Sequence, residues 1–178
     1  IVASGTCGEH LTWMFEETGT LTIGGTGAMP DYVTSFEFSS NGLSFSRPGN
    51  WEYMQLADRI TRVVIGEGVT AVGLGSFMSL NHLTSVRLPE TLRKISALAF
   101  YRCAALAEIN VPAALEEVDA YAFYGCENLP TFVAPGRDRG GSPAASANRS
   151  ASRSTTVKSC LYREGNEYVR VEDFGGKP

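Results

Sequence analysis

The strongest constraint on the fold of this chain is a repeat of 23 residues in its middle. AFYRCAAL at 99–106 returns as AFYGCENL at 122–129, and the phenylalanine recurs 23 residues earlier in SFMSLNHL. Aligned on that phenylalanine, the chain divides into three full copies and one partial copy: 60–82, 83–105, 106–128 and 129–136. A fixed period of this length indicates coils that stack on one another.

Apolar residues recur in register in these copies, which predicts their core. The shared core positions include Val63/Val86/Ile109, Phe77/Phe100/Phe123 and Leu80/Cys103/Cys126. The spacing Leu-x-x-Val-x-Leu is the alternation of a short strand with one buried face. Proline directly after the strand, at 89 and 112, ends it, whereas Gly66 stands there in the first copy. One copy buries too little surface to fold alone, so we expect a β solenoid with end caps.

The segment before the repeats predicts a cap. In LTWMFEETGTLTIGG (11–25), apolar residues alternate on both sides of a turn at 17–19, which predicts a β-hairpin. Its apolar face would cover the exposed edge of the first coil. Residues 33–50 carry turn signals and form either a long loop or a second hairpin. Trp51 and Tyr53 are expected to pack against the first repeat.

The chain after residue 136 changes in composition. Residues 137–156 are rich in Gly, Ser, Ala and Arg and lack large apolar side chains, which predicts a flexible linker. Residues 157–178 have the alternation of a hairpin-like tail around a turn at 164–166. We therefore divide the chain into a cap (1–59), repeats (60–136), linker and tail. Cys7 and Cys160 could pair only if the tail folds back onto the cap.

Cys103 and Cys126 occupy the same repeat position, where the first copy has Leu80. Neighbouring coils lie ~4.7–4.9 Å apart, so a strained disulfide is one alternative, although parallel side chains place the Cβ atoms too far apart. Metal binding is another, but the spacing lacks the short pairs of zinc sites, and His10 and His82 are the two histidines of the sequence. The favoured interpretation is a small buried apolar group.

No motif in the sequence supports catalysis. GGTG at 24–27 is followed by Pro30, not by the helix that a phosphate loop requires, and indicates a turn. The acidic group Glu116, Glu117 and Asp119 falls at positions predicted to be solvated, with a weak cation site as the alternative. The serines and histidines match no nucleophile motif. We predict no enzyme, no cofactor and no metal.

Charge is distributed unevenly along the chain. Residues 1–136 contain seven Lys/Arg and fourteen Asp/Glu, a net charge of −7, whereas 137–178 carry +3. An acidic body argues against nucleic acid as a partner. The basic tail either stays solvated or reaches anionic surfaces. No apolar run has the length of a membrane span.

The phrase L-x-x-V-x-L-P-x-x-L-x-x-I-x-x-x-A-F-x-x-C resembles the leucine-rich repeats of the BspA-like type in bacterial surface proteins. SGTCGEHLTWMF (4–15), GTLTIGGTGAMPDY (19–32) and NWEYMQLADRITRVVIGEGVTAVG (50–73) are similar to the segments before such arrays. The resemblance implies a mainly β leucine-rich-repeat solenoid, with a strand and a short 3₁₀ or helical turn per coil. It also implies a non-catalytic, secreted or cell-surface protein used in adhesion or recognition. Leu80 and Gly75-Ser76 depart from the pattern, and nothing after 136 looks like a closing coil.

The outward positions of the predicted strands are the candidate ligand-binding residues. They are Arg62, Val64, Ser85, Arg87, Glu108 and Asn110. We expect them to contact a protein or glycan ligand, with extracellular host molecules among the candidates, or to be ordinary solvent-facing residues. The alternative function is a structural spacer that displays another part of a larger surface protein.

Overall fold

The computed structural model describes residues 1–33, 35–39, 42–46, 52–119, 121–129, 161–164 and 167–170. These residues form fourteen β-strands and one 3₁₀ helix, Glu52–Arg59. In chain order the strands are β1 Ala3–Gly8, β2 Leu11–Phe15, β3 Thr20–Gly25, β4 Gly27–Ala28, β5 Ser35–Ser39, β6 Gly42–Ser46, β7 Arg62–Ile65, β8 Val69–Val72, β9 Ser85–Arg87, β10 Lys94–Ile95, β11 Glu108–Ile109, β12 Glu117–Val118, β13 Leu161–Glu164 and β14 Glu167–Arg170.

Each 23-residue repeat contributes one strand to each of two parallel sheets. β7, β9 and β11 pair in register, with Val63 opposite Val86 and Val86 opposite Ile109. β8, β10 and β12 form the second ladder, and the inward side chains of both sheets share one core. The prediction of a mainly β fold is therefore confirmed, and the two parallel ladders agree with a solenoid. The sequence pattern does not predict the second strand, which is only two residues long in β10 and β12.

The remainder of each coil is a series of tight turns. In the second repeat, Tyr101 N–H donates to the carbonyl of Leu98 (3.1 Å), and Cys103 N–H donates to the carbonyl of Phe100 (3.2 Å). These bonds span three residues, as in a 3₁₀ helix, but they form successive turns without a continuous helix. Left-handed backbone recurs at the corners: Gly75, Leu98 and Tyr121 share one corner position, and Ser79, Arg102 and Gly125 share another.

The predicted hairpin cap is confirmed. β2 and β3 pair antiparallel, and β3 continues into the array by pairing parallel with β7, with Leu21 opposite Val63. β1, which the sequence pattern does not predict, adds an outer strand to give the order β1-β2-β3-β7-β9-β11. Gly66 N–H donates to the Ile23 carbonyl of the cap (2.8 Å). Proline has no N–H, which explains why the first copy lacks the proline of later copies.

A stack of aromatic rings runs through the core. The rings of Phe77, Phe100 and Phe123 are stacked, with centroids 5.4 and 5.2 Å apart. Tyr53 packs against the first of them at 6.1 Å and against Trp13 of the cap at 6.1 Å. All of these side chains are buried. Tyr53 therefore packs as predicted and joins cap and array into one core, whereas Trp51 lies outside the described residues.

β5 and β6 form the second hairpin that the sequence offers as an alternative to a long loop. β5 and β6 pair antiparallel, with Ser35 opposite Ser46 at one end and Ser39 opposite Gly42 at the other. Phe36 packs edge-on against Tyr121, with ring centroids 6.4 Å apart. The cluster around it combines Val33 with residues of all three repeats: Met78, Leu98, Tyr101 and Tyr121, with Leu74 and Tyr124 at its margin. This hairpin thus packs across the corners of the array.

Part of the predicted organisation lies beyond the described residues. β13 and β14 pair antiparallel, with Glu164 opposite Glu167, where the sequence predicts a hairpin. The partial repeat after Leu129, the linker 137–156, Cys160 and the rest of the tail fall outside the description. In the part of the chain that is described, no helix is long and apolar enough to span a membrane.

Candidate interaction surface on the strand face

The outward sides of β7, β9 and β11 bring the predicted ligand-binding residues onto one face. Arg62 lies opposite Ser85, which lies opposite Glu108, and Val64 lies opposite Arg87. The strands alternate, because Val63 and Val86 between these positions are buried in the core. We call this surface the strand face.

A groove of about 500 Å³ lies on the strand face. Its lining is Arg62, Ser85, Val86, Arg87, Ala107, Glu108, Ile109 and Asn110. Five of the six candidate residues belong to that lining. Val64, which is half-buried, does not.

Asn110 has a structural task that its sequence position does not reveal. Its Oδ1 accepts a hydrogen bond from Leu88 N–H (2.7 Å), and its Nδ2 donates to the Leu88 carbonyl (2.9 Å). Pro89 follows Leu88 and cannot donate, so the side-chain amide continues the ladder that the backbone would otherwise end. Asn110 therefore positions the end of β9, and its amide is already engaged within the array.

Ala107 is a groove residue outside the predicted set of ligand-binding residues. The equivalent residues of the earlier repeats are threonines. The Thr61 hydroxyl donates to the Gly19 carbonyl of the cap (3.4 Å), and the Thr84 hydroxyl donates to the Thr61 carbonyl of the preceding coil (3.0 Å). Ala107 has no hydroxyl and a shorter side chain, which leaves space in the groove. The change from threonine at 61 and 84 to alanine at 107 is the sequence signal that could have identified this residue.

The acidic group of the third repeat pairs with bases of the second. Arg93 contacts Glu116 at 2.9 Å, and Lys94 contacts Glu117 at 3.4 Å and Asp119 at 3.2 Å. Burial raises the pKa of Asp119, and Lys94 counteracts this only in part. Burial acts to lower the pKa of Lys94, but Asp119 and Glu117 outweigh it and raise that pKa. The group forms ion pairs between coils, along the second sheet and not on the strand face.

The described residues contain no group of three or more His, Cys, Asp or Glu side chains placed to hold a metal ion. Both histidines, His10 and His82, are exposed. GGTG leads from β3 into β4 as a turn, in agreement with its sequence context.

Arg62 and Arg87 differ from the other basic residues of the body. Arg59 and Arg102 each lie over an aromatic ring, at 5.1 and 5.5 Å from the centroid. Arg93 and Lys94 are held in ion pairs with the acidic group of the third repeat. Within the described ranges, Arg62 and Arg87 are exposed and have no ion-pair or aromatic partner. The two uncommitted cations that the structure describes in residues 1–136 therefore both line the groove.

The repeat cysteines are buried free thiols. Cys103 Sγ donates to the carbonyl of Phe77, and Cys126 Sγ donates to the carbonyl of Phe100, each at 3.1 Å. Burial raises the pKa of Cys103 well above its ordinary value, and burial raises that of Cys7 to about 11. Each repeat thiol fills an apolar position and also bonds one coil to the preceding one.

We expect Cys7, Cys103 and Cys126 to resist alkylation in the folded protein, because the reactive thiolate is both buried and disfavoured. Mass spectrometry after iodoacetamide treatment, with and without urea and without reductant, measures this. All three should be modified in urea. Failure of Cys103 and Cys126 to react in urea would reveal a disulfide between coils and contradict the buried-thiol interpretation.

Two parallel ladders with a 23-residue register define a leucine-rich-repeat protein. The family model described as "BspA type Leucine rich repeat region (6 copies)" matches residues 51–145, more than half of the chain. The chain therefore belongs to the BspA type leucine-rich-repeat family, as its sequence resemblance implies. Repeat regions of this family typically serve in protein interaction without catalysis, in bacterial proteins of the cell surface or the secreted fraction.

Two solved bacterial structures are similar to this chain. A leucine-rich repeat protein from Eubacterium ventriosum is 18% identical over 94% of this chain and 48% of its own, with a TM-score of 0.43. Another from Bacteroides ovatus is 20% identical over 71% of this chain and 28% of its own, with a TM-score of 0.38. The chain thus spans less than half the length of either protein. The search of curated proteins found no match.

Proposed function

We propose that this chain is a non-catalytic recognition module of a secreted or cell-surface bacterial protein. It binds a protein or glycan ligand through the groove on the strand face. The observation that carries the proposal is the placement of Arg62 and Arg87 in that groove, exposed and without a partner among the described residues. Ser85 lies opposite both Arg62 and Glu108 on the same face, and Arg87 follows Ser85 by two residues.

The charges of the two sides of the array support this choice of surface. On the second sheet, Lys94 is held by Glu117 and Asp119, so its charge is neutralised within the array. On the strand face, Arg62 and Arg87 remain available for an external partner. Arginine is among the residues enriched in the centres of binding interfaces, where it contributes a large share of the affinity. The groove therefore has both the space and the free donors that recognition requires.

The proposal predicts the effect of reversing both groove charges. The full chain is tested by surface plasmon resonance against a panel of extracellular-matrix proteins and glycans, beside the Arg62→Glu/Arg87→Glu variant. We expect saturable binding of at least one ligand, weakened about tenfold or more in the variant, because two interface arginines are replaced by repelling charges.

The matched control is Arg59→Glu/Arg93→Glu, which makes the same change in net charge outside the groove. It should retain binding, provided that circular dichroism shows both variants to be folded. A panel without any binder would contradict the proposal and favour the alternative, a spacer that displays another part of a larger protein.

A further inference from the structure

We infer that the groove on the strand face takes an extended acidic protein segment, with two carboxylates placed two residues apart. The inference rests on the proposed recognition function and names the chemistry of its ligand. It is carried by three features of the groove: the charge of its free side chains, their spacing and the absence of aromatic rings on the described face.

The charge of the groove is opposite to that of its surroundings. Residues 1–136 carry a net charge of −7, yet the exposed side chains of Arg62 and Arg87 place two uncommitted positive charges on one face. Complementary charge is what selects partners at interfaces. A guanidinium binds a carboxylate through two parallel hydrogen bonds, which makes carboxylates the preferred partners of this pair. The net negative charge of residues 1–136 disfavours an acidic ligand elsewhere on this part of the chain.

The spacing of the two arginines fits an extended peptide. Arg62 lies opposite Ser85, and Arg87 follows Ser85 by two residues on the neighbouring strand. A rise of ~3.3 Å per residue and a strand separation of ~4.8 Å place the two Cα atoms roughly 8 Å apart. In an extended peptide, side chains on the same side recur every two residues, or about 6.6 Å. Flexible arginine side chains cover the difference, so the ligand motif is Asp/Glu-x-Asp/Glu.

Glu108 limits the acidic motif to two carboxylates. It lies opposite Ser85 on β11, on the side away from Arg62. A third carboxylate placed there would meet a like charge, whereas a backbone N–H or a lysine would be accepted. Glu108 therefore disfavours a further carboxylate beside the acidic pair.

The composition of the face favours a peptide over an acidic glycan. Sugar rings commonly stack on aromatic side chains, and the strand face offers none among the described strands of its sheet. Towards the cap its outward residues are Ser4, Thr6, Thr12, Met14, Thr20 and Thr22. A face with hydroxyl groups and arginines but without aromatic side chains is better suited to a polar, extended peptide than to a sugar.

Fluorescence anisotropy of the full chain with two labelled peptides tests the inference. One peptide contains Asp-Ser-Asp in a Gly/Ser background, and the other has Asn in place of each Asp. We expect saturable binding of the Asp peptide, at least about tenfold tighter than that of the Asn peptide, because two charge-assisted contacts are lost in the latter. Raising the salt from 50 to 300 mM should weaken binding, because exposed charges are screened.

Variants connect the binding to the groove. Arg62→Gln/Arg87→Gln should remove the preference for Asp over Asn, and Arg59→Gln/Arg93→Gln, which has the same net charge, should retain it. Glu108→Gln should tighten the binding of a peptide with a third Asp.

The outcomes separate this inference from the proposed function. If a panel ligand binds through the arginines but the Asp and Asn peptides bind equally or not at all, the acidic segment is wrong and recognition remains. The same holds if only an acidic glycan binds in an arginine-dependent manner. Asp-peptide binding that the groove variant leaves unchanged places the site elsewhere and also overturns the inference. If neither the peptides nor any ligand of the panel binds, both proposals are overturned.

Discussion

Replacing Phe100 with alanine is expected to lower the free energy of unfolding by about 3–5 kcal/mol. Phe100 is fully buried, and its ring lies between those of Phe77 and Phe123. Its removal leaves a cavity that two coils share. Strand pairing on both sides of the array holds those coils at a set distance, so the cavity cannot close easily. Urea unfolding of the wild type and the variant measures the loss.

Phe100→Leu is the matched control for the aromatic stack. Leucine retains much of the apolar volume but loses the stacked contacts, so the expected loss is about 1 kcal/mol. If Phe100→Ala also lowered the free energy of unfolding by no more than about 1 kcal/mol, the phenylalanine stack would not be a main source of the stability of the array.

The second large effect is expected at Gly25, where Gly25→Ala should cost about 2 kcal/mol or more. The backbone of Gly25 has φ = 110°, a region that side-chain-bearing residues rarely adopt. A Cβ there would also collide with the carbonyl oxygen of His10, which a rigid backbone cannot move away. The substitution therefore forces a shift of the cap sheet. Urea unfolding again provides the measurement.

The neighbouring glycine is a control within the same motif. Gly24 has ordinary backbone geometry, and a Cβ there would lie 3.8 Å from Thr12 Oγ1, an ordinary contact. Gly24→Ala is therefore expected to change stability by no more than about 0.5 kcal/mol. Equal effects at the two glycines would contradict the described path of the chain from β3 to β4. A large effect at Gly25 alone would establish a structural reason for GGTG that involves no phosphate.

The repeat and the cap could be predicted from sequence because their signals are local and periodic. The spacing of Phe77, Phe100 and Phe123 sets the length of a coil, and the alternation around Val63 and Val86 sets which side is buried. Successive side chains of a strand point to opposite faces, so the same alternation also identifies the outward positions. Five of the six candidate residues consequently line the groove.

The second strand of each coil could not be predicted in this way. β10 and β12 each contain two residues, which is too few to show an alternation of buried and exposed side chains. They are strands only because they pair with strands of neighbouring coils. The contact between Phe36 and Tyr121 is likewise tertiary, because it joins residues 85 positions apart in the chain. Neither residue carries a local signal of its partner.

The sequence by itself determined the length of the coil, the buried side of its strands and the cap, since these follow from the order of apolar residues along the chain. The tertiary structure alone decided which outward residues are free. Asn110 and Arg87 both belong to outward positions, but Asn110 is committed to the Leu88 backbone, whereas Arg87 has no partner among the described residues. That difference depends on which atoms of the neighbouring coil lie within hydrogen-bonding distance, and those atoms are more than twenty residues away in the chain.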